Sequence, residues 1–61
     1  MLCYCEYRNK RGHLVGWSDD FNASIEEASR RASAVMTRIS EIYTVIIHDA
    51  NNDNELKRIG K

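Results

Sequence analysis

Residues 24–39, SIEEASRRASAVMTRI, decide the fold of this chain because they contain both a helix start signal and a single apolar stripe. Ser24 and Glu27 have the S-x-x-E spacing of a capping box, in which each side chain hydrogen-bonds the backbone of the other residue. The apolar residues recur every three or four positions, as in a helix buried on one side. They are Ile25, Ala28, Ala32, Val35, Met36 and Ile39. The stretch predicts one amphipathic helix over about residues 25–39.

The opposite side of this helix carries charges. Glu26 and Glu27 precede Arg30 and Arg31 by four residues, which is the favourable order for helical ion pairs. We expect both pairs to form on a solvated face. Asn22 is an alternative N-cap two residues before Ser24.

Two segments before the helix alternate like strands. Residues 2–8 form the first and residues 13–17 the second, with Gly12 or Asn9 accepting a positive φ in the turn between them. Gly16 in the second strand indicates a bulge or the close approach of another group. The first strand places Cys3, Cys5 and Tyr7 on one side and Leu2, Tyr4, Glu6 and Arg8 on the other.

A second pair of strands follows the helix. Residues 43–49 are β-branched and aromatic with apolar side chains on both faces, as expected of a central strand. Residues 50–54 are rich in Asn and Asp, which tolerate left-handed turns. Residues 55–59 return as a charged edge strand, in which Lys57 and Arg58 discourage pairing with another sheet.

The element order β, β, α, β, β predicts a single α+β domain over residues 1–61. Its architecture is ββαββ, an antiparallel four-stranded sheet with the amphipathic helix packed on one face. A chain of 61 residues buries only about 60% of the surface that it exposes when unfolded, so its stability margin is thin. Formation of a homodimer is the simplest additional support.

One helix cannot cover all the apolar side chains of this sheet. Tyr4, Trp17, Ile46 and Leu56 together exceed the area beneath a single helix, so part of them should lie on the other face. We expect Tyr4, Trp17 and Ile46 to contact a protein partner or a second copy of the chain.

Nucleic-acid binding is the alternative function. Basic residues that can contact phosphates are Arg8, Lys10, Arg11, Arg30 and Arg31. Tyr4 and Trp17 would supply stacking surfaces beside them. Nine Lys and Arg balance nine Asp and Glu, however, which is atypical of a protein that coats DNA.

A zinc-binding domain is the third alternative. Two thiolates and two imidazoles can hold zinc tetrahedrally, but here the cysteines are only two residues apart and the histidines are far apart, which is a poor ligand spacing. The four candidates are Cys3, Cys5, His13 and His48. We therefore expect no bound metal and no other cofactor. A disulfide between the two cysteines is disfavoured because both point to the same side of one strand.

The sequence predicts that the protein is not an enzyme. The cysteines lie on a strand with no base or helix start to activate them. Asp19 with Asp20, and Asp49 with Asp53, lie in segments where Asp is simply a good turn former. Glycine-rich phosphate loops and nucleophile elbows are absent. The chain has no apolar run of about 20 residues and no signal-like N-terminus, so a soluble cytoplasmic protein is expected.

The helix start Ser24–Ala28 (SIEEA) and the hairpin from Ile47-His48-Asp49 through Leu56 give the chain a family resemblance. Hairpin, helix and a second hairpin with an Asp/Asn-rich tip resemble very small bacterial and phage proteins of ββαβ or ββαββ type. The resemblance covers the topology of nearly the whole chain and assigns no functional residue. It implies a prophage-type accessory factor that acts on a host protein. The expected function is thus a small non-enzymatic protein-interaction module.

Overall fold

A computed structural model describes all 61 residues and contains one helix and five strands. The elements are β1 (Leu2–Arg8), β2 (Leu14–Trp17), β3 (Phe21–Asn22), α1 (Ile25–Arg38), β4 (Thr44–Asp49) and β5 (Glu55–Gly60). The strands form one antiparallel sheet in the order β2-β1-β4-β5, and β3 pairs with β1 further along the edge that β2 occupies. The predicted α+β fold with ββαββ order is confirmed.

The helix begins at the predicted cap. The backbone N–H of Glu27 donates to Oγ of Ser24 at 3.1 Å, and the backbone N–H of Ser24 donates to Oε1 of Glu27 at 3.2 Å. Asn22, the alternative cap, belongs to β3 instead. The last helical residue is Arg38. The helix is neither long enough nor apolar enough to cross a membrane.

The core lies between α1 and one face of the sheet. Ala28 and Ala32 are 0% and 1% exposed, and their small side chains let the helix approach the strands closely. Ile25 and Ile39, at the two ends of the predicted stripe, are instead 37% and 48% exposed and do not belong to the buried cluster. The buried cluster consists of Cys3, Cys5, Ala23, Ala28, Ala32, Met36, Ile42, Val45 and Ile47.

Left-handed residues form both hairpin turns. Gly12 has φ +81°, a conformation that glycine adopts without steric cost. Oδ1 of Asn9 accepts hydrogen bonds from the backbone N–H groups of Arg11 and His13, which fixes this turn. In the second hairpin Asp53 has φ 62°. The expectation of positive φ at Gly12 and within residues 50–54 is confirmed.

The sheet differs from the prediction in one additional strand, β3. β3 was not expected, because a strand of two residues is too short to show an alternation that a sequence pattern can reveal. The register between β1 and β2 shifts so that Val15, next to Gly16, has no partner in β1. The predicted bulge therefore exists, whereas the space around Gly16 is open rather than filled by a close group.

The two predicted helical ion pairs are wrong. Neither Glu26 with Arg30 nor Glu27 with Arg31 is among the ion pairs of the chain. Glu27 turns back to cap the helix, and the guanidinium of Arg31 lies over the ring of Phe21 at 4.0 Å from its centroid. A cation over an aromatic face takes the place of the expected surface pair.

Candidate functional site on the helix-free face

Strand alternation gathers one set of side chains on the sheet face that carries no helix, here called the helix-free face. Tyr4 pairs with His48 across β1 and β4, and Glu6 pairs with Ile46 on one side and with Trp17 on the other. Residues that pair directly across antiparallel strands point to the same face. These side chains therefore lie together, opposite the face that holds the core.

Three of them form an aromatic patch, defined as Tyr4, Trp17 and His48. The rings of Tyr4 and His48 stack with centroids 4.9 Å apart and an angle of 14° between their planes. Trp17 leans on both, at 5.9 Å from Tyr4 and 6.4 Å from His48. Trp17 remains 54% exposed, so a large apolar ring is held in place and yet faces solvent.

Hydrogen bonds to Glu6 and Asp53 hold the aromatic patch in place. Nε2 of His48 lies 2.9 Å from Oε1 of Glu6, and its Nδ1 lies 3.4 Å from the carbonyl oxygen of Asp53. The hydroxyl of Tyr4 donates to Oδ1 of Asp53 at 3.0 Å. The pKa of Tyr4 is raised, mainly by desolvation and secondly by the hydrogen bond to this carboxylate. Both ring nitrogens of His48 thus face acceptors within the chain, and the imidazole supports Tyr4.

Glu6 is the one charged residue among the buried ones, at 6% exposure. Its second carboxylate oxygen accepts from the guanidinium of Arg8, which also donates to the carbonyl of Gly12 at 3.1 Å. Burial by itself raises the pKa of Glu6, but hydrogen bonds from Arg8 and His48 outweigh it, and the pKa lies below its ordinary value. Glu6 is therefore a paired carboxylate at neutral pH.

A polar pocket of about 270 Å³ lies beside the aromatic patch and shares Glu6 with it. On its rim, Nη2 of Arg58 contacts Oε1 of Glu55 at 2.8 Å. The lining residues are Glu6, Arg8, Gly12, Thr44, Ile46, Glu55 and Arg58. The two acidic and two basic side chains are already paired with each other, which leaves the pocket electrically balanced.

The predicted contact residues differ in how much of each is exposed on the helix-free face. Tyr4 and Trp17 come together as expected. Ile46 lies on the same face but is only 5% exposed, between Glu6 and Arg58 of the neighbouring strands, and offers little contact area. Leu56, expected to add to the apolar surplus, packs against the core on the helix side. The exposed apolar surface of this face therefore belongs mainly to the aromatic patch.

The predicted basic residues do not form one surface. Arg8 is held by Glu6 on the helix-free face, and Lys10 and Arg11 are exposed in the first turn. Arg30 and Arg31 lie on α1, which covers the opposite face. The geometry divides these side chains among separate places, and nucleic-acid binding stays a prediction.

The four residues considered for zinc are also separated. Cys3 and Cys5 are buried under the helix, where burial raises the pKa of both thiols. His48 stands on the other face of the sheet, and His13 lies in the first turn. The structure holds no group of three or more His, Cys, Asp or Glu side chains arranged to bind a metal.

Sequence reasoning missed Glu6 and His48 as parts of this site. The signal was present, because Glu6 lies two residues after Tyr4 and His48 two residues after Ile46, which places each of them on the same face as a predicted contact residue.

No protein family, curated protein or solved structure matches the chain. The function of the site is therefore inferred from its geometry.

Proposed function

We propose that the chain is a non-enzymatic protein-interaction module that binds its partner through the aromatic patch on the helix-free face. The observation that carries this proposal is the exposure of Trp17 on a stacked Tyr4–His48 pair. Tyrosine and tryptophan are the residues most enriched where interfaces gain their binding energy.

The patch is already ordered before a partner arrives. Tyr4 is fixed by its hydrogen bond to Asp53, and His48 by its contact with Glu6. Binding to such a surface costs less conformational entropy than binding to side chains that must first be immobilised. The guanidinium of Arg8, which is partly exposed and pairs with the buried Glu6, is a polar group of the kind found at the rim of an interface.

The biological setting follows from the same proposal. A small non-enzymatic interaction module would act as an accessory factor on a host protein, in keeping with the resemblance to small phage proteins. The proposed partner presents an apolar surface that can cover Trp17 and Tyr4.

An affinity-capture experiment tests this function. We compare the proteins retained from a lysate of the source cells by the tagged wild type and by Trp17→Ala, Tyr4→Ala and Ile39→Ala. Ile39 is the matched control, because it is 48% exposed and lies outside the helix-free face.

We expect one retained protein to bind the wild type and Ile39→Ala equally and to lose about 30-fold in affinity for Trp17→Ala, as interface centres do. Tyr4→Phe, which keeps the ring, should restore most of what Tyr4→Ala loses. Circular dichroism confirms that each variant is folded. If no retained protein distinguishes the patch variants from Ile39→Ala, the proposal is overturned.

A further inference from the structure

The outer edge of β2 is an open strand edge without charges. One side of β2 pairs with β1, and no strand lies on its other side. The sequence of β2 is LVGW, and its residues Leu14, Val15 and Trp17 are 46%, 38% and 54% exposed. An apolar edge of this kind presents unpaired backbone groups to any strand that can approach it.

The opposite edge of the same sheet, formed by β5, carries charges that oppose pairing with another strand. β5 carries Glu55, Lys57 and Arg58 within six residues. Charged side chains on an edge strand oppose its pairing with a second sheet, and two copies of β5 would bring Lys57 and Arg58 of one next to those of the other. The contrast singles out β2 as the edge that remains available.

Charges of opposite sign lie at the two ends of β2. Lys10 and Arg11 precede it, and Asp19 and Asp20 follow it. All four are exposed, and none takes part in the ion pairs of the chain. Two antiparallel copies of β2 would place each basic end beside the acidic end of the other copy, whereas parallel copies would place like charges together.

The bulge in β2 also places the apolar side chains of two antiparallel copies opposite each other. Val15 adds one residue between Leu14 and Trp17, so both fall on the helix-free face although they are three positions apart. A two-fold axis between Val15 and Gly16 then sets Leu14 of one copy opposite Trp17 of the other. The exposed indole would be covered by an apolar side chain that is itself exposed in the single chain.

We infer that β2 pairs antiparallel with β2 of a second copy and joins the two sheets into one symmetric dimer. A strand of four residues supplies few hydrogen bonds, so the dimer is weak and its population depends on concentration. This inference does not rest on the proposed function, because it is argued from the backbone edge of β2 and its flanking charges, although the second copy would cover part of the Trp17 ring that the proposed partner also contacts.

Sedimentation velocity over a concentration series, extended to the millimolar range, tests the dimer. We compare the wild type with Val15→Lys, which puts a charge on the edge, and with the control Ile39→Lys, which adds the same charge on an exposed apolar side chain elsewhere. The wild type and Ile39→Lys should dimerise alike, and Val15→Lys should raise the dissociation constant at least about tenfold. A wild type that stays monomeric throughout, or a dimer that Val15→Lys leaves unchanged, would overturn the inference.

A charge swap tests the orientation without touching the strand. Lys10→Asp with Arg11→Asp makes both ends of β2 acidic, and Asp19→Lys with Asp20→Lys makes both ends basic. Each double variant should weaken the dimer, and more so at low salt, where surface charges are least screened. Combining all four changes restores opposite ends and should restore the dimer. Failure of the combined variant to recover, while it remains folded by circular dichroism, excludes the antiparallel arrangement.

Discussion

Glu6 on β1 and His48 on β4 stand 42 residues apart in the chain, yet Nε2 of His48 lies 2.9 Å from Oε1 of Glu6. This contact crosses the central strand pair on the helix-free face. It joins the aromatic patch, to which His48 belongs, to the polar pocket, which Glu6 lines. One buried carboxylate therefore supports both features of the candidate site.

Glu6→Gln should reduce the free energy of unfolding by about 1–3 kcal/mol, the usual cost of leaving buried hydrogen-bonding groups without their partner. The substitution removes the negative charge that faces Arg8 and His48. Urea unfolding followed by the fluorescence of Trp17, the single tryptophan, measures the effect. The control is Glu55→Gln, whose pair with Arg58 is exposed and should matter little. Equal losses in both variants would contradict a special role for the buried carboxylate.

The contribution of Glu6 should disappear in acid. Its pKa in the folded protein lies below the ordinary value of 4.5, so the folded state favours the charged form. The resulting stabilisation is complete above the unfolded pKa and is lost as the pH falls through the folded pKa. The difference in unfolding free energy between the wild type and Glu6→Gln should therefore be constant well above pH 4.5 and should shrink as the pH falls below that value. A difference that does not shrink would show that the charge of Glu6 is not responsible.

Local signals in the sequence were sufficient for the helix and the turns. Ser24 and Glu27 are three residues apart, and their reciprocal bonds form within one helical turn, so the pattern and the structure agree. Gly12 likewise forms a turn whose geometry depends on its immediate neighbours. Such features need no knowledge of what packs against them.

The site could not be derived in the same way. The contact between Glu6 and His48 depends on the register of β1 against β4, which is set by packing between distant segments rather than by local pattern. Alternation gave the face of each residue but not its partner. Ile46 was expected to contact a partner, but its burial at 5% depends on neighbours contributed by two other strands, which a local pattern does not show.

Loss of the helix cap should have a measurable cost. Ser24→Ala removes the acceptor for the backbone N–H of Glu27 and should lower the free energy of unfolding by about 1 kcal/mol. Ser33→Ala is the matched control, because Ser33 is exposed in the middle of α1 and alanine is the better helix former there. We expect the control to be neutral or slightly stabilising in the same urea titration. If Ser33→Ala lowers the free energy of unfolding as much as Ser24→Ala does, the loss cannot be assigned to the helix cap.

The centre of the core should be sensitive to a single methyl group. Ile47 is 0% exposed beneath the helix, and Ile47→Val should cost about 0.5–1.5 kcal/mol of unfolding free energy. Ile39→Val removes the same group from a side chain that is 48% exposed and should change stability much less. This smaller substitution is preferred because Ile47→Ala would remove a large part of the stability margin of so short a chain. Equal losses of unfolding free energy at Ile47 and Ile39 would mean that Ile47 is not in the core.

The two thiols should be protected as long as the fold is intact. Cys3 and Cys5 are 1% and 3% exposed, and burial raises the pKa of both, which leaves little of the reactive thiolate at neutral pH. A disulfide reagent should therefore modify them only when β1 opens, and addition of urea should accelerate the reaction sharply.

A third thiol supplies the internal reference for this measurement. In the variant Ser33→Cys the new side chain lies on the exposed side of α1, so it should react at the rate of an ordinary accessible cysteine. Stopped-flow labelling should show one fast thiol and two that are slower by more than about tenfold, and all three should react alike in urea. Because β1 pairs with β2, β3 and β4, its opening requires the sheet to separate, and the slow rate reports the stability of the whole sheet. Three equally fast thiols in the folded protein would mean that the helix does not cover β1.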